Sequence, residues 1–381
     1  MADFTEEQLM LRDTVREFTE NEIMPQAAEI DESCEFPMAV MQNMGELGFL
    51  GIPFPEEYGG SGFDVLSFAL AMEEIAAGCG STALTVAAHV SLCSTPIYLF
   101  GTEEQKKKYL PDLLSARKIG AFCLSEPGSG TDSGSMLTRA EKKGDDYILN
   151  GSKQWVTNGG YADVFVVLAK TDTELGVKGI SMFVVEKDTP GLNPGKKEDK
   201  MGLRASDTRQ ISIDNLRIPK ENLLGAENQG FPQAMKTLDG GRIGIGSMAI
   251  GLGRAAMENA AVYAKDRTAF GKTIADFQAI KWYLADMATE LEAGRLLVHQ
   301  AARLRDAGKP YSKEAAMGKL FASEAAMRGA SKAIQILGGY GYIREYPLER
   351  IYRDTKLTEI GEGTSEVLRI IISKHLLKEV K

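Results

Sequence analysis

The first part of the chain has the periodicity of amphipathic helices. Thr5 and Gln8 have the spacing of a capping box, and the apolar residues that follow recur every three or four positions. An alanine-rich stretch at 68–88 shows the same spacing beyond a turn region rich in glycine and proline. We therefore predict an N-terminal helical domain over residues 1–117.

The pattern changes to short runs of β-branched and aromatic residues in the middle of the chain. Runs at 164–168 and 180–185 are separated by turn residues, as is typical of strands. The dipeptide Asn150-Gly151 lies between two further β-type runs and is a strong hairpin signal. These features predict a middle antiparallel β-domain over residues 118–228.

Helical spacing returns after residue 228 and continues to the end. Two proline-free, apolar-striped runs at 280–302 and 315–337 are long enough for bundle helices. We predict a C-terminal four-helix bundle over residues 229–381. The order helical, β, helical contains no βαβ alternation, so the fold class is α+β.

Composition and charge exclude some functions. The 381 residues carry a net charge of −9, which argues against a nucleic-acid-binding protein. The N-terminus is acidic and unlike a signal peptide, and no stretch is expected to approach the ~20 apolar residues that a membrane helix needs. We therefore predict a cytoplasmic protein without membrane insertion. The four cysteines have no metal-site spacing, and no metal site is predicted.

Two strings resemble nucleotide-binding motifs but lack features that those motifs require. The string at 244–249 matches a dinucleotide-binding pattern, yet it lies inside a helical run, where small residues allow close helix packing. The string at 271–273 resembles the end of a phosphate-binding loop, but the first glycine of that loop is replaced by Asp266. The three histidines are interpreted as structural. A carboxylate is therefore the expected group for proton transfer.

Two segments of the β-domain have unusual turn chemistry. The segment 122–132 turns through proline and glycines, which exposes N–H groups and hydroxyls suited to a polar ring edge or a phosphate. Trp155, followed by Thr157 and two glycines, suits stacking on an aromatic cofactor. An ordinary turn and a core tryptophan remain the alternatives at this point.

A third segment places a carboxylate between two glycines. Glu362 lies between Gly361 and Gly363, directly before Thr364 and an apolar helical run. A helix-capping carboxylate is one explanation. Glycines on both sides favour a second, in which backbone and ligand approach each other closely.

These segments together resemble the acyl-CoA dehydrogenase family, in particular its short- and medium-chain, butyryl-CoA dehydrogenase-like members. The resemblance covers nearly the whole chain and includes further matches in order along it. They are 53–62 (PFPEEYGGSG), 238–242 (LDGGR), 267–272 (RTAFGK), 277–278 (FQ), 335–341 (QILGGYG) and 352–354 (YRD).

The resemblance implies a fold, a cofactor and partners. The family has an N-terminal helical domain, a middle β-domain and a C-terminal four-helix bundle, and is usually a homotetramer built as a dimer of dimers. FAD lies between the β-domain and the bundle, with its adenine end against a neighbouring subunit. The implied reaction converts a short- or medium-chain acyl-CoA into trans-2-enoyl-CoA in fatty acid β-oxidation, and the electrons pass to electron-transfer flavoprotein.

Matching positions imply roles for individual residues. The expected FAD-binding residues are Phe122, Leu124, Ser125, Gly130, Thr131, Trp155, Thr157, Arg267, Phe270, Gln278, Gln335, Gly339, Thr364 and Glu366. Of these, Arg267, Phe270, Gln335 and Gly339 should meet the FAD of the partner subunit. The expected substrate-binding residues are Ser125, Thr131, Asp239, Arg242, Gly361 and Gly363, with Asp239 and Arg242 holding CoA.

Glu362 is implied to be the base that removes the α-proton. In the family, the backbone N–H of this residue and a ribityl hydroxyl of FAD stabilise the enolate, and the β-hydrogen leaves as hydride to flavin N5. Enclosure should raise the pKa of Glu362 toward neutrality. Some relatives carry the base on a bundle helix instead, at the position of Gly241, where glycine cannot serve.

The substrate is less defined than the reaction. Gly361 replaces a tyrosine common in short- and medium-chain relatives, which suggests room for a branched or cyclic acyl group. Ala83 stands where glutaryl-CoA relatives have an arginine, which disfavours a dicarboxylic substrate. Two other functions remain open: an acyl-CoA oxidase with the same fold, and a non-catalytic acyl-CoA-binding assembly protein.

Overall fold

The computed structural model describes residues 4–380 and begins with a helical region. Thr5 Oγ1 accepts a hydrogen bond from the Gln8 N–H, and the Gln8 side chain accepts one from the Thr5 N–H, so the predicted capping box is confirmed. The helices of this region are α1 (Glu6–Phe18), α2 (Ala27–Ser33), α3 (Met38–Glu46), α4 (Val65–Gly78), α5 (Gly80–Ala87), α6 (Thr95–Phe100) and α7 (Glu103–Leu114).

Helices α5 and α6 are joined through a π-helical segment, Ala88–Ser94, into one helix of 21 residues, Gly80–Phe100. With a mean hydropathy of 1.4, this helix is long and apolar enough to cross a membrane by length and composition alone. The prediction that no stretch reaches this length was therefore wrong. In the fold, 78% of the most apolar 18 residues of this helix are buried, which is typical of a core helix.

His89, within the π-helical segment, ties this helix to the sheet. Its Nδ1 accepts a hydrogen bond of 3.0 Å from the Gly120 N–H, so Nε2 carries the proton and donates to the Leu113 carbonyl at 2.8 Å. Burial lowers the pKa of His89 to about 4, against the opposing effect of that carbonyl. His89 is therefore neutral and structural, as the sequence predicted.

The middle region is a seven-stranded sheet with the order β1-β4-β2-β3-β7-β6, and β5 on the other side of β4. Its strands are β1 (Gly120–Cys123), β2 (Arg139–Lys143), β3 (Asp146–Thr157), β4 (Val164–Lys170), β5 (Ile180–Glu186), β6 (Leu192–Lys197) and β7 (Thr208–Pro219). The antiparallel prediction is only partly right, because β1 pairs with β4 in parallel and β2 meets β4 in parallel at Arg139 and Lys170. β1 and β4 can pair in parallel because β2 and β3 lie between them in the sequence and provide the long connection that parallel strands need.

Alternate residues of β4 face different cores. Val164 and Val166 pack into the core shared with the helices, whereas Phe165 and Val167 pack into the core inside the β-domain. Because both faces are covered, β4 is a continuous apolar run rather than an alternating one.

The predicted hairpin at Asn150-Gly151 was wrong. Both residues lie inside the continuous strand β3, where the pairing with β7 shifts register between Leu149 and Gly151. Gly151 has φ 154°, and a Cβ there would lie 2.4 Å from Thr138 Oγ1, so glycine is required by a close approach at a bulge. The actual turn joins β2 and β3 through Gly144 and Asp145.

The C-terminal region consists of helices with a small hairpin between the first two. They are α8 (Gly230–Asp266), β8 (Thr268–Ala269), β9 (Lys272–Thr273), α9 (Gln278–Asp306), α10 (Ser312–Leu337), α11 (Leu348–Lys356) and α12 (Ser365–Glu379). The three long helices pack on one another and α12 packs along α10, as a bundle predicts, and α11 is an additional short helix. The domain limits at 117 and 228 remain predictions.

The glycine string at 244–249 lies inside α8, as expected for helix packing rather than nucleotide binding. A Cβ on Gly246 would lie 2.7 Å from Val298 Cγ2 of α9 and 3.5 Å from the Lys319 Cα of α10. Small residues here therefore allow three long helices to approach closely.

Asp354, on α11, joins the bundle to the rest of the molecule. Its Oδ1 accepts a hydrogen bond of 2.6 Å from the Leu203 N–H, and a Cβ on Gly80 would lie 2.9 Å from its Oδ2. Burial raises the pKa of Asp354 to about 7, and the hydrogen bond from Leu203 opposes this rise. The neighbouring Arg353 binds Asp31 of α2 through two hydrogen bonds.

Candidate active site

Glu362 lies in the short loop that precedes α12. It has a left-handed backbone with φ 56°, and Gly363 follows with φ 108°. Thr364 then begins α12, because its Oγ1 accepts a hydrogen bond from the Val367 N–H at 3.4 Å. A non-glycine residue is rarely left-handed, and such strain is often found at functional sites.

The carboxyl group of Glu362 points into the protein. Its Oε2 is buried and receives no hydrogen bond from residues 4–380. Burial raises the pKa of Glu362 to about 7, and the positive charges of Lys319 and Arg242 oppose this rise. A carboxylate with this pKa is half ionised near neutral pH, which suits a general base.

Space for the carboxyl group is provided by Gly241 of α8. A Cβ on Gly241 would lie 2.0 Å from Glu362 Oε2 and 3.1 Å from Leu92 Cδ2. A side chain at 241 and the Glu362 carboxyl group would therefore occupy the same volume. Position 241, where the resemblance places the base of some relatives, therefore lies beside the Glu362 carboxyl group in this fold.

Asp239 and Arg242 lie together at this end of α8. Arg242 Nη1 donates a short hydrogen bond to Asp239 Oδ1, and both side chains are largely buried. A Cβ on Gly363 would lie 3.8 Å from Arg242 Nη2. The two residues expected to hold CoA are thus adjacent to the Glu362 loop.

The residues predicted to face the flavin lie on and beside strands β1 and β3. Trp155 is 62% exposed and has a left-handed backbone with φ 61°, which excludes a core tryptophan. The Gln154 N–H donates to the Ser125 carbonyl at 2.8 Å, so β3 holds the loop that begins at Leu124. Phe122 and Thr157 are half-buried beside this surface.

The loop after Ser125 is supported from below by a buried ion pair. Lys153 Nζ donates to Glu126 Oε1 at 2.9 Å and to the Leu124 carbonyl at 3.2 Å. Gly130 and Thr131 are exposed on the turn above, and a Cβ on Gly130 would meet nothing within 4 Å. This open turn suits a bound phosphate or ring edge.

A separate open cleft of about 550 Å³ brings together Arg267, Gln335 and Gly339. The Arg267 guanidinium lies 5.6 Å from the ring centroid of Tyr340, which also lines the cleft. Nearby, Phe270 is 95% exposed at the tip of the β8–β9 hairpin. Phe277, at the base of this hairpin, packs edge-on against Phe270 with ring centroids 6.0 Å apart.

The remaining expected cofactor residues are at helix starts. Gln278 is exposed at the start of α9, Thr364 caps α12, and Glu366 is exposed in the first turn of α12. The structure thus gives Thr364 a capping function that is compatible with an additional ligand. It places none of the three beside the buried Glu362 carboxyl oxygen.

Sequence reasoning missed Lys319, which is 0% exposed and contacts the Glu362 loop. It also missed Leu92, Lys153 and Glu126. A signal for Lys319 exists, because it interrupts a stripe of buried alanines that includes Ala315, Ala316 and Ala322. A lysine on the apolar face of a helix needs an internal partner.

Comparisons with known proteins agree along the whole chain. Models of the acyl-CoA dehydrogenase N-terminal, middle and C-terminal domains match residues 5–117, 121–216 and 228–377. A short-chain-specific acyl-CoA dehydrogenase from Clostridium acetobutylicum is 50% identical over 376 residues, or 99% of each chain. The mitochondrial short-chain-specific acyl-CoA dehydrogenase of Bos taurus is 50% identical over 380 residues, or 100% of this chain and 92% of its own.

Solved structures give the same result. A chain in a structure of the electron transferring flavoprotein of Acidaminococcus fermentans has a TM-score of 0.98 and 50% identity, covering 99% of this chain and all of its own. Butyryl-CoA dehydrogenase from Megasphaera elsdenii has a TM-score of 0.97 and 44% identity, with the same coverage. The left-handed Glu362, its space at Gly241 and the exposed Trp155 thus lie in a chain that belongs to the FAD-dependent acyl-CoA dehydrogenase family.

Proposed function

We propose that Glu362 is the base of an acyl-CoA dehydrogenase acting on short- or medium-chain acyl-CoA. The observation that carries this assignment is the buried, unpaired Oε2 of Glu362, in a carboxyl group whose pKa burial raises to about 7. The oxygen occupies the space that Gly241 leaves free of a side chain. No other carboxylate among the predicted site residues has this combination.

The residues present fit FAD. The exposed indole of Trp155 offers a flat apolar face, and the turn carrying Gly130 and Thr131 offers room for polar parts of the cofactor. Phe122, Leu124, Ser125 and Thr157 lie around this surface. FAD bound here supplies the acceptor for the β-hydride.

The chain itself supplies proton transfer and positioning. Ionised Glu362 takes the α-proton while the β-hydrogen leaves with its electron pair, so a trans double bond forms between the α and β carbons. Burial strengthens the carboxylate as a base because it loses solvation by water. Arg242 and Lys319 keep part of it ionised near neutral pH by lowering its pKa from the value that burial alone would give.

We further propose that the second cleft binds the FAD of a partner subunit in a homotetramer. Arg267, Gln335 and Gly339 line this cleft, and Phe270 projects next to it. The relatives and the similar chain in the structure of an electron transferring flavoprotein support electron-transfer flavoprotein as the electron acceptor. Arg267→Ala should lower FAD content at micromolar protein concentration, measured by flavin absorbance after denaturation. Light scattering of the same samples measures the mass of the assembly.

Gly361 suggests the shape of the acyl site. The nearest atoms to a Cβ on Gly361 would be those of Leu357 at 3.6 Å, so a side chain could fit and its absence leaves free volume. We propose that the site accepts an acyl group bulkier than butyryl, including branched chains.

An anaerobic panel of acyl-CoA thioesters tests the function and the substrate together. Each thioester is mixed with the FAD-loaded protein, flavin bleaching is followed, and the enoyl-CoA product is identified by mass spectrometry. Bleaching with short and branched chains is expected. Absence of bleaching with every thioester would contradict the dehydrogenase assignment, and a sharp preference for butyryl-CoA would contradict the Gly361 proposal. Reoxidation by oxygen, compared with electron-transfer flavoprotein, tests the oxidase alternative.

A further inference from the structure

Lys319 makes two hydrogen bonds that enclose the Glu362 residue. Its Nζ donates to the Gly361 carbonyl at 2.8 Å and to the Gly363 carbonyl at 2.5 Å. The side chain rises from the middle of α10 and is 0% exposed. A buried ammonium group thus binds the carbonyl groups immediately before and after the base.

The Gly361 carbonyl belongs to the same peptide unit as the Glu362 N–H. The peptide bonds of the described residues are trans, so the C=O and N–H of this unit point in opposite directions. Because Lys319 holds the carbonyl, the N–H points away from α10. Among residues 4–380, none accepts a hydrogen bond from the Glu362 N–H. This N–H is therefore a free donor beside the carboxyl group.

We propose that Lys319 is a positioning residue for enolate formation, acting through the Gly361–Glu362 peptide. This inference rests on the proposed function, in which Glu362 is the base, and it assigns the free Glu362 N–H to donate to the thioester oxygen. The cation fixes the orientation of the peptide and polarises it, because positive charge at the carbonyl oxygen draws electron density from the N–H. Its second bond, to Gly363, holds the left-handed backbone of Glu362 in place.

Lys319 stays charged near neutral pH although it is buried. Burial lowers the pKa of Lys319 to about 8, while Glu362 and Glu359 oppose the decrease and Arg242 adds to it. Lys319 therefore remains mainly protonated at neutral pH. Both carbonyls accept without donating, and the charged ammonium group binds them more strongly than a neutral amine would.

The test separates enolate formation from hydride transfer. Acetyl-CoA has α-hydrogens but no β-hydrogen, so it can be enolised and cannot be dehydrogenated. Glu362 would remove an α-proton, the carboxyl group would exchange with D2O, and a deuteron would return to the α-carbon. Deuterium in acetyl-CoA, measured by mass spectrometry with FAD-loaded protein, reports this step alone.

Lys319→Met should lower the exchange rate about 100-fold, which is typical of losing one oxyanion donor. Acetyl-CoA binding and FAD content should change by less than about threefold, because ground-state contacts remain. Lys332→Met is the matched control, since Lys332 is on the same helix and pairs with Asp286 outside the site. The control should exchange at the wild-type rate.

Three outcomes distinguish the claims. Exchange in Lys319→Met at the wild-type rate would overturn the positioning function and leave the proposed reaction intact. Exchange in Glu362→Gln at the wild-type rate would overturn Glu362 as the base. If Lys319→Met does not retain FAD, Lys319→Gln replaces it, because the amide can donate without charge. Exchange reduced at least tenfold in Lys319→Gln would support the proposal, and an unchanged rate would overturn it.

The pH profile gives a second readout that a purely structural function would not change. The positive charge of Lys319 lowers the pKa of Glu362, so its removal should raise that pKa. The limb of the exchange profile that rises with pH should then move to higher pH in Lys319→Met. An unchanged midpoint with reduced amplitude would contradict the electrostatic part of the proposal.

Discussion

Asp354 and Glu362 are two carboxyl groups of the C-terminal region, and burial raises the pKa of each to about 7. They differ in what surrounds the oxygens. Asp354 accepts a hydrogen bond from Leu203 and packs against Gly80, whereas Glu362 Oε2 has no partner among the described residues and faces the space at Gly241. A raised pKa therefore indicates burial, and a buried oxygen without a hydrogen-bond partner is the feature that suits a general base.

The strongest test of this contrast is to neutralise each group. Glu362→Gln should lower kcat by about 10²–10⁴-fold, because the amide cannot take a proton, while FAD remains bound. Asp354→Asn should change kcat by less than about threefold, since the amide oxygen can still accept from Leu203. Steady-state kinetics at equal flavin content measures both. Equal losses in the two variants would contradict the distinction.

Moving the base tests whether the space at Gly241 defines the site. Glu362→Gly alone should be nearly inactive, and glycine suits the left-handed backbone there. Adding Gly241→Glu should recover turnover at least about tenfold over Glu362→Gly, because general-base catalysis returns to the same volume. Gly241→Glu with Glu362 retained is the control and should impair acyl-CoA binding. No recovery in the double variant would mean that a carboxylate at position 241 cannot replace the one at position 362.

The pH dependence should report Glu362 and not Asp354. Below about pH 7, kcat/KM should fall about tenfold per pH unit as Glu362 becomes protonated. Lys319 from α10 and Arg242 from α8, which pairs with Asp239, face this group and set its pKa with burial. Asp354→Asn should have the same profile. A profile in wild type that stays flat to about pH 5 would mean that another base operates.

With rising pH, Asp354 should lower the free energy of unfolding, whereas ionisation of Glu362 should raise activity. The pKa of Asp354 is higher in the fold than its model value of 3.8, so the folded chain keeps a proton that the unfolded chain releases. Its contribution to stability is therefore greatest at low pH and decreases as pH rises from about 4 to about 7. Between pH 5 and pH 7, Asp354→Asn should gain about 2 kcal/mol relative to wild type in chemical unfolding. A pH-independent difference would contradict the raised pKa.

Periodicity predicted the helical, β and helical regions well because their apolar spacing is long and regular. It failed at Asn150-Gly151, where a turn dipeptide occurs in a bulge of β3, because local chemistry does not reveal which strand lies opposite. The signal at Gly144-Asp145 was equally available. Parallel pairing of β1 with β4 depends on contacts distant in sequence and leaves no local pattern.

For a similar reason, some residues of the candidate site could be singled out from the sequence and others could not. Glu362 was found because two glycines next to a carboxylate are unusual in sequence, and Trp155 because of the glycines after it. Lys319 was missed because a lysine in a helix is normally assigned to the solvent face. Only the fold shows that α10 turns this residue toward the carbonyls of Gly361 and Gly363.

The π-helical segment Ala88–Ser94 sets a limit on how this chain can change in length. It directs Leu92 toward Gly241, while His89 and Cys93 contact the sheet at Gly120 and Val164. Deleting one residue would restore regular α-helix and rotate everything beyond it by about 100°. The position of Leu92 beside Gly241 and the attachment of this helix to the sheet would then be lost together. Substitutions can change these two features one at a time, but a deletion in this helix would change both and would require a rearranged site.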